Sequence, residues 1–222
     1  WIKDLRKPNS PLVAVVNNYD SDTFVLSIKG DKIYFQTNLN APNGKIVVAD
    51  IKNPTPEHWK DLIAETQNVL TPVVAGKYIL AHYMKDAISQ VKQYDFEGKL
   101  IRDIKLPALG TVTLNSAKDE ESESYFSFEN FYTPSSIYKL HLDNGNTELY
   151  WAPKIDFNPN DFESKQVFYA SKDGTKVPMI ITYKKGTPLD GTAPACLYGY
   201  GGFNISYTPW FAVTYAVWMN NG

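Results

Sequence analysis

The sequence has one cysteine and no long apolar run, which argues against a disulfide-bonded protein and against a membrane-spanning one. Cys196 has no second cysteine with which to form an internal disulfide, so the cysteine count indicates neither an oxidising nor a reducing compartment. Its place inside the apolar segment 195–197 predicts a buried, inert thiol. Because no apolar stretch approaches the length of a membrane span, we expect no membrane partner.

An excess of charge of either sign is also missing. The formal net charge is -2 over 222 residues, which gives no reason to expect nucleic acid as a partner. The three histidines, His58, His82 and His141, are dispersed without metal-ligand spacing, so we expect no metal and no cofactor. The chain starts at Trp1 without a methionine or a signal-peptide pattern, and we expect it to begin inside a longer protein.

Repetition is the strongest pattern before residue 155. Tyr34, Tyr78 and Tyr125 are separated by 44 and 47 positions, and each belongs to a similar set of four short strands. Four strands joined by tight turns in roughly 45 residues are typical of a β-propeller blade, which buries its faces against its neighbours. The predicted strands are 23–28, 32–38, 45–50 and 59–63; then 71–74, 77–83, 90–95 and 100–106; then 111–114, 125–130, 136–143 and 147–151.

The pattern changes after residue 155. Segments 166–171 and 176–183, joined by a turn at Asp173 and Gly174, predict a β-hairpin. The apolar segment 193–198 predicts a strand that is buried on both faces. Segment 210–219 predicts a buried helix that ends at residues 220–222.

A glycine-rich loop lies between the last predicted strand and the helix. Residues 198–203 read Tyr-Gly-Tyr-Gly-Gly-Phe. Glycine allows positive φ or a close approach to a ligand, and aromatic rings beside it offer flat apolar walls with polar tips. A strand that runs into such a loop is how α/β-hydrolases build part of the pocket for a developing oxyanion. The loop therefore indicates a serine peptidase.

Three segments resemble the prolyl oligopeptidase family: LYGYGGFNIS at 197–206, SKDGTKVPM at 171–179 and FYTPSSIY at 131–138. Members join a seven-bladed β-propeller to an α/β-hydrolase domain that cleaves short peptides on the carboxyl side of proline. The resemblance implies a mostly β chain with an α/β part: about three final propeller blades at 1–155, then the N-terminal portion of the hydrolase domain at 156–222. It also implies short proline-containing peptides as substrates, a monomeric complete enzyme and a cytoplasmic location, with the periplasm as the alternative.

The resemblance also assigns roles within the loop. Tyr200 matches the tyrosine whose hydroxyl, together with one backbone N–H near the nucleophile, stabilises the tetrahedral oxyanion. Phe203 matches an aromatic residue of the pocket that receives proline. We expect Gly201 and Gly202, with Gly199, to let the backbone turn so that both side chains face the cleft.

The catalytic nucleophile has no candidate in the sequence. No Gly-x-Ser-x-Gly motif occurs, and the family order of Ser, Asp and His predicts all three after Gly222, so we expect this piece alone to be inactive. Cleavage after Arg or Lys, as in the related oligopeptidase B group, is one alternative. That group carries a small residue and Tyr in place of Gly202 and Phe203, so the sequence favours proline. A non-catalytic propeller module that binds peptides is the second alternative, although such a module has no use for the glycine loop.

Overall fold

The computed structural model describes residues 1–203 and 205–221. Asn204, within the predicted loop, and Gly222, at the predicted end of the helix, lie outside the described residues. The chain is mostly β. Its strands and helix are β1 (Thr23–Lys29), β2 (Lys32–Thr37), β3 (Lys45–Asp50), β4 (Lys60–Ile63), β5 (Val69–Ala75), β6 (Tyr78–Lys85), β7 (Ile88–Tyr94), β8 (Leu100–Ile104), β9 (Thr111–Leu114), β10 (Glu123–Glu129), β11 (Ser136–His141), β12 (Thr147–Trp151), β13 (Phe162–Ala170), β14 (Lys176–Lys184) and α1 (Val213–Asn220).

The first twelve strands form three antiparallel sheets of four strands each. In every sheet the strands pair in chain order, β1 to β4, β5 to β8 and β9 to β12. Successive side chains alternate between a buried and a half-buried face, as in β10, where Ser124, Phe126 and Phe128 are buried and the residues between them are half-buried. The prediction of three four-stranded units is confirmed, and the arrangement is propeller-like.

Two apolar clusters lie between neighbouring sheets. One cluster joins the first and second sheets and includes Ile46 and Ile79, both fully buried. A second cluster joins the second and third sheets and includes Leu80, Phe126 and Leu140. Each sheet therefore buries a face against its neighbour, as stacked repeat units do.

Polar side chains add hydrogen bonds between the second and third sheets. The buried Gln93 amide donates to the Leu142 carbonyl at 2.7 Å. Ser89 Oγ accepts from the Val112 N–H at 2.9 Å and lies 2.8 Å from Nε2 of His82. Burial lowers the pKa of His82 below its usual range, because the charged imidazolium loses hydration there.

The region after residue 155 contains a hairpin and a short helix. Strands β13 and β14 pair with each other in one continuous antiparallel register, which confirms the predicted hairpin. The predicted strand at 193–198 is wrong, since these residues form no regular secondary structure. Among the described residues no strand pairs with it, so its backbone groups have no ladder to join.

Two burial predictions for this region are also wrong. Cys196 is exposed, because the segment that carries it packs into no sheet. Helix α1 is present, but Val213, Val217 and Trp218 are exposed and Ala216 is its buried residue. No helix within residues 1–203 and 205–221 has the length and apolar character needed to cross a bilayer.

Candidate functional site

The glycine loop runs over the surface after the exposed apolar segment 193–198. Leu197 and Tyr198 are exposed, and residues 198–201 form neither strand nor helix. The backbone N–H of Ile205 donates to the Gly202 carbonyl at 3.1 Å, which closes a tight turn around Phe203. The loop therefore presents its side chains outward from a short, locally hydrogen-bonded bend.

The residue of this turn with the left-handed backbone conformation is an aromatic residue and not a glycine. Phe203 has φ +54°, whereas Gly199, Gly201 and Gly202 all lie outside the left-handed region. The positive φ of the loop is therefore at Phe203, and the role expected of the glycines in turning the backbone stays a prediction. Residues other than glycine pay of order 1–3 kcal/mol for this conformation, and such residues cluster at functional sites.

Tyr200 and Phe203 differ in how they are held. The Tyr200 ring lies against Gly202, where an added Cβ would sit 3.0 Å from the Tyr200 hydroxyl. Gly202 thus leaves room for the ring, which is a steric role and not a conformational one. Tyr200 is 49% exposed, and Phe203 is 92% exposed, so Phe203 does not pack against the Tyr200 ring.

An aromatic cluster (Tyr207, Trp210 and Tyr215) fixes the base of the loop. The Tyr198 and Tyr207 rings are 4.7 Å apart between centroids. The indole N–H of Trp210 donates to the Tyr207 hydroxyl at 2.5 Å, and that oxygen lies 3.2 Å from the Tyr215 hydroxyl. The hydrogen bond with Tyr207 raises the pKa of Tyr215 to about 12. This cluster was not predicted from the sequence, although four aromatic residues lie within 207–215.

The segment that contains the cluster is docked on the third sheet. Thr111 Oγ1 donates to the Pro209 carbonyl at 2.5 Å, and the Phe211 N–H donates to a Glu129 carboxylate oxygen at 3.1 Å. The Tyr215 ring contacts Phe131, with 6.1 Å between centroids. The loop is thus connected through aromatic contacts to the end of a propeller-like sheet.

The remaining candidate groups are not assembled near the loop. His82 lies in β6, His141 ends β11, and His58 lies in a 3-10 turn beside Trp59. Across residues 1–203 and 205–221 no three His, Cys, Asp or Glu side chains are placed to hold a metal ion. An open apolar groove of about 520 Å³ lies along α1 and includes no residue of the loop; its lining residues are Pro194, Val213, Thr214, Val217, Trp218 and Asn221.

Comparisons with known proteins agree on one family. A family model described as the prolyl oligopeptidase N-terminal β-propeller domain matches residues 1–153. A prolyl endopeptidase from Elizabethkingia miricola is 47% identical over 222 residues, which is 100% of this chain and 31% of the relative. The chain therefore spans about a third of the length of the curated relatives that it matches.

Solved structures show the same similarity. The apo prolyl oligopeptidase B from Galerina marginata superposes with a TM-score of 0.85 at 29% identity, over 96% of this chain and 31% of that one. A point mutant of the same fungal protein, bound to a 35mer hydrolysis and macrocyclization substrate, gives a TM-score of 0.78 at 31% identity, over 93% of this chain and 30% of that one.

Proposed function

The chain belongs to the prolyl oligopeptidase family, and on that premise we propose that it is part of a serine endopeptidase that hydrolyses short peptides on the carboxyl side of proline. The observation that carries the proposal is the similarity to a named prolyl endopeptidase across all 222 residues, including the glycine loop. We propose further that the nucleophilic Ser, with its Asp and His, lies beyond residue 222 of the complete protein.

We divide the chain at residue 155 into two parts of that enzyme. Residues 1–155 are the last three blades of a seven-bladed propeller, and residues 156–222 are the start of an α/β-hydrolase domain. Two observations support the division. The family model for the propeller ends at residue 153, and the four-stranded sheets give way there to the hairpin β13–β14.

Tyr200 is proposed to donate a hydrogen bond to the substrate oxygen during catalysis. Attack by a serine on the peptide carbonyl places negative charge on that oxygen, and a phenol O–H at hydrogen-bond distance stabilises it. The Tyr200 ring lies against Gly202 and the residue is 49% exposed, and this exposure supports the role.

Phe203 is proposed to receive the proline ring. A flat aromatic face can pack against the compact, apolar pyrrolidine ring, and Phe203 is almost wholly exposed on a strained turn. Exposure of a large apolar side chain in a costly backbone conformation supports a binding role over a packing role.

The proposed activity is tested in the complete gene product with fluorogenic peptides that carry Pro, Arg or Ala before the scissile bond. We expect cleavage after Pro, blocked by a serine-directed phosphonate. Tyr200→Phe should lower kcat/KM about 10²–10³-fold, the usual effect of one oxyanion donor. Tyr169→Phe is the matched control, because Tyr169 is 51% exposed and lies in β13, outside the loop.

The other outcomes are equally informative. Cleavage after Arg would favour the oligopeptidase B alternative, and peptide binding without hydrolysis would favour a non-catalytic module. A Tyr200→Phe enzyme within twofold of wild type would remove Tyr200 from the oxyanion site, since loss of a real donor costs roughly a hundredfold.

A further inference from the structure

The Tyr200 hydroxyl can meet a substrate oxygen only if the loop that carries it is held at a fixed place. Most of this loop is exposed, and it has no strand or helix to support it. Its ring–ring contact with the rest of the chain, among the described residues, is the one between Tyr198 and Tyr207. Tyr198 is separated from Tyr200 by Gly199 alone, so the place of Tyr198 limits where Tyr200 can lie.

Tyr207 is itself held from two sides. Its hydroxyl accepts the Trp210 indole N–H at 2.5 Å and lies 3.2 Å from the Tyr215 hydroxyl. The Trp210 and Tyr215 rings also meet edge to face at 5.6 Å. The three side chains of the aromatic cluster therefore fix one another's orientation.

The aromatic cluster is in turn joined to the third sheet. The Tyr215 ring contacts Phe131 just after β10. The backbone N–H of Phe211, which lies between Trp210 and Tyr215 in the sequence, donates a hydrogen bond to Glu129 at the end of β10. Contacts thus run without a break from Tyr198, through Tyr207 and Tyr215, to the sheet. A rigid sheet is a better reference for a catalytic group than a loop alone, because small misplacements lose rate.

We propose that Tyr207 is a positioning residue, whose ring and hydrogen-bonded hydroxyl hold Tyr198 and thereby set the Tyr200 hydroxyl relative to the third sheet. This role rests on the proposed function, because it acts through the oxyanion contact assigned to Tyr200. Tyr207 touches no reacting atom in this scheme, and its effect is expected in kcat more than in KM.

A double-mutant cycle in the complete gene product tests the proposal. Tyr207→Phe removes both hydroxyl contacts but keeps the ring on Tyr198, and Tyr207→Leu removes the ring as well. We expect kcat per active site to fall about tenfold for Tyr207→Phe and about a hundredfold for Tyr207→Leu, with KM within about twofold. Active sites are counted by titration with a serine-directed phosphonate, so that loss of folded enzyme is not read as loss of rate.

The decisive step repeats Tyr207→Phe in a Tyr200→Phe background. If Tyr207 acts through Tyr200, adding Tyr207→Phe to the Tyr200→Phe enzyme should change kcat by less than about twofold, because the hydroxyl that Tyr207 positions is already absent. A purely structural role predicts the same loss in both backgrounds, and that result would overturn the proposal. An unchanged kcat in both Tyr207 variants would overturn it as well.

Two tryptophans supply a matched control. Trp210→Phe removes the donor to Tyr207 and should reproduce much of the Tyr207→Phe effect, whereas Trp218→Phe makes the same chemical change on the exposed face of α1 and should leave kcat unchanged. Equal effects of the two tryptophan variants would contradict the role of the hydrogen bond. A wild-type protein that cleaves no prolyl substrate would refute the proposed function itself, an outcome distinct from an additive cycle in an active enzyme.

Discussion

Gly76 and Gly30 form a matched pair for testing how closely the sheets approach each other. Both lie in the turn between the first two strands of their sheet, with φ of +56° and +59°. An added Cβ at Gly30 would meet no atom within 4 Å. At Gly76 it would lie 2.5 Å from the Glu121 carbonyl oxygen and 2.9 Å from Leu142 Cδ1, and both of these residues flank strands of the third sheet.

Comparing Gly30→Ala with Gly76→Ala separates two contributions to the free energy of unfolding, one from backbone conformation and one from packing. Alanine in the left-handed region costs roughly 1–2 kcal/mol, and it regains about 0.4–1 kcal/mol by restricting the unfolded chain. These two amounts apply equally to Gly30→Ala and Gly76→Ala. Only Gly76→Ala also forces a backbone carbonyl to move, which adds the cost of overpacking, about 1–3 kcal/mol. We therefore expect Gly76→Ala to lower the free energy of unfolding by about 1–3 kcal/mol more than Gly30→Ala.

Urea unfolding followed by circular dichroism measures this difference. The free energies are compared by linear extrapolation, with wild type and both variants in the same buffer. Equal losses in Gly30→Ala and Gly76→Ala would refute the close approach of the second sheet's turn to the third sheet. A smaller loss for Gly76→Ala than for Gly30→Ala would contradict it more strongly.

Two further predictions concern single side chains. Burial lowers the pKa of His82 in the folded chain below the value of 6.5 that applies in the unfolded chain. As the pH falls below 6.5, the unfolded chain therefore binds a proton at His82 more readily than the folded chain does. The free energy of unfolding should be highest above pH 6.5 and should decline below it. His82→Gln should flatten the change in urea midpoint between about pH 7.5 and about pH 5.5, and an unaltered pH profile would rule out His82 as the cause. The exposed Cys196 should react with a disulfide reagent such as DTNB without denaturant, and Cys196→Ser should give no signal; a thiol that reacts only in urea would contradict its exposure.

Features that are encoded locally were predictable from the sequence. The strands of the three sheets follow from apolar alternation and turn residues, so the predicted 32–38 and 45–50 match β2 and β3 within a residue. The hairpin β13–β14 follows from the turn at Asp173 and Gly174 in the same way. These signals lie within a few residues of the structure that they specify.

Features that depend on distant partners were not predictable. An apolar segment such as 193–198 becomes a buried strand only beside a neighbouring strand, and no described strand pairs with it. The contacts that anchor the aromatic cluster join residues 98 and 82 positions apart, which no local pattern encodes. Phe203 takes the positive φ that intrinsic preference assigns to glycine, because the turn geometry overrides that preference.

The apolar clusters between the sheets determine how a change in one sheet affects its neighbours. The second sheet supplies residues to two clusters, Ile79 to the one shared with the first sheet and Leu80 to the one shared with the third. These two side chains are adjacent in β6 and point to opposite faces, so a one-residue slip of that strand would exchange them and disturb both neighbours at once. An insertion of one residue in β6 is therefore expected to disturb the first and third sheets together.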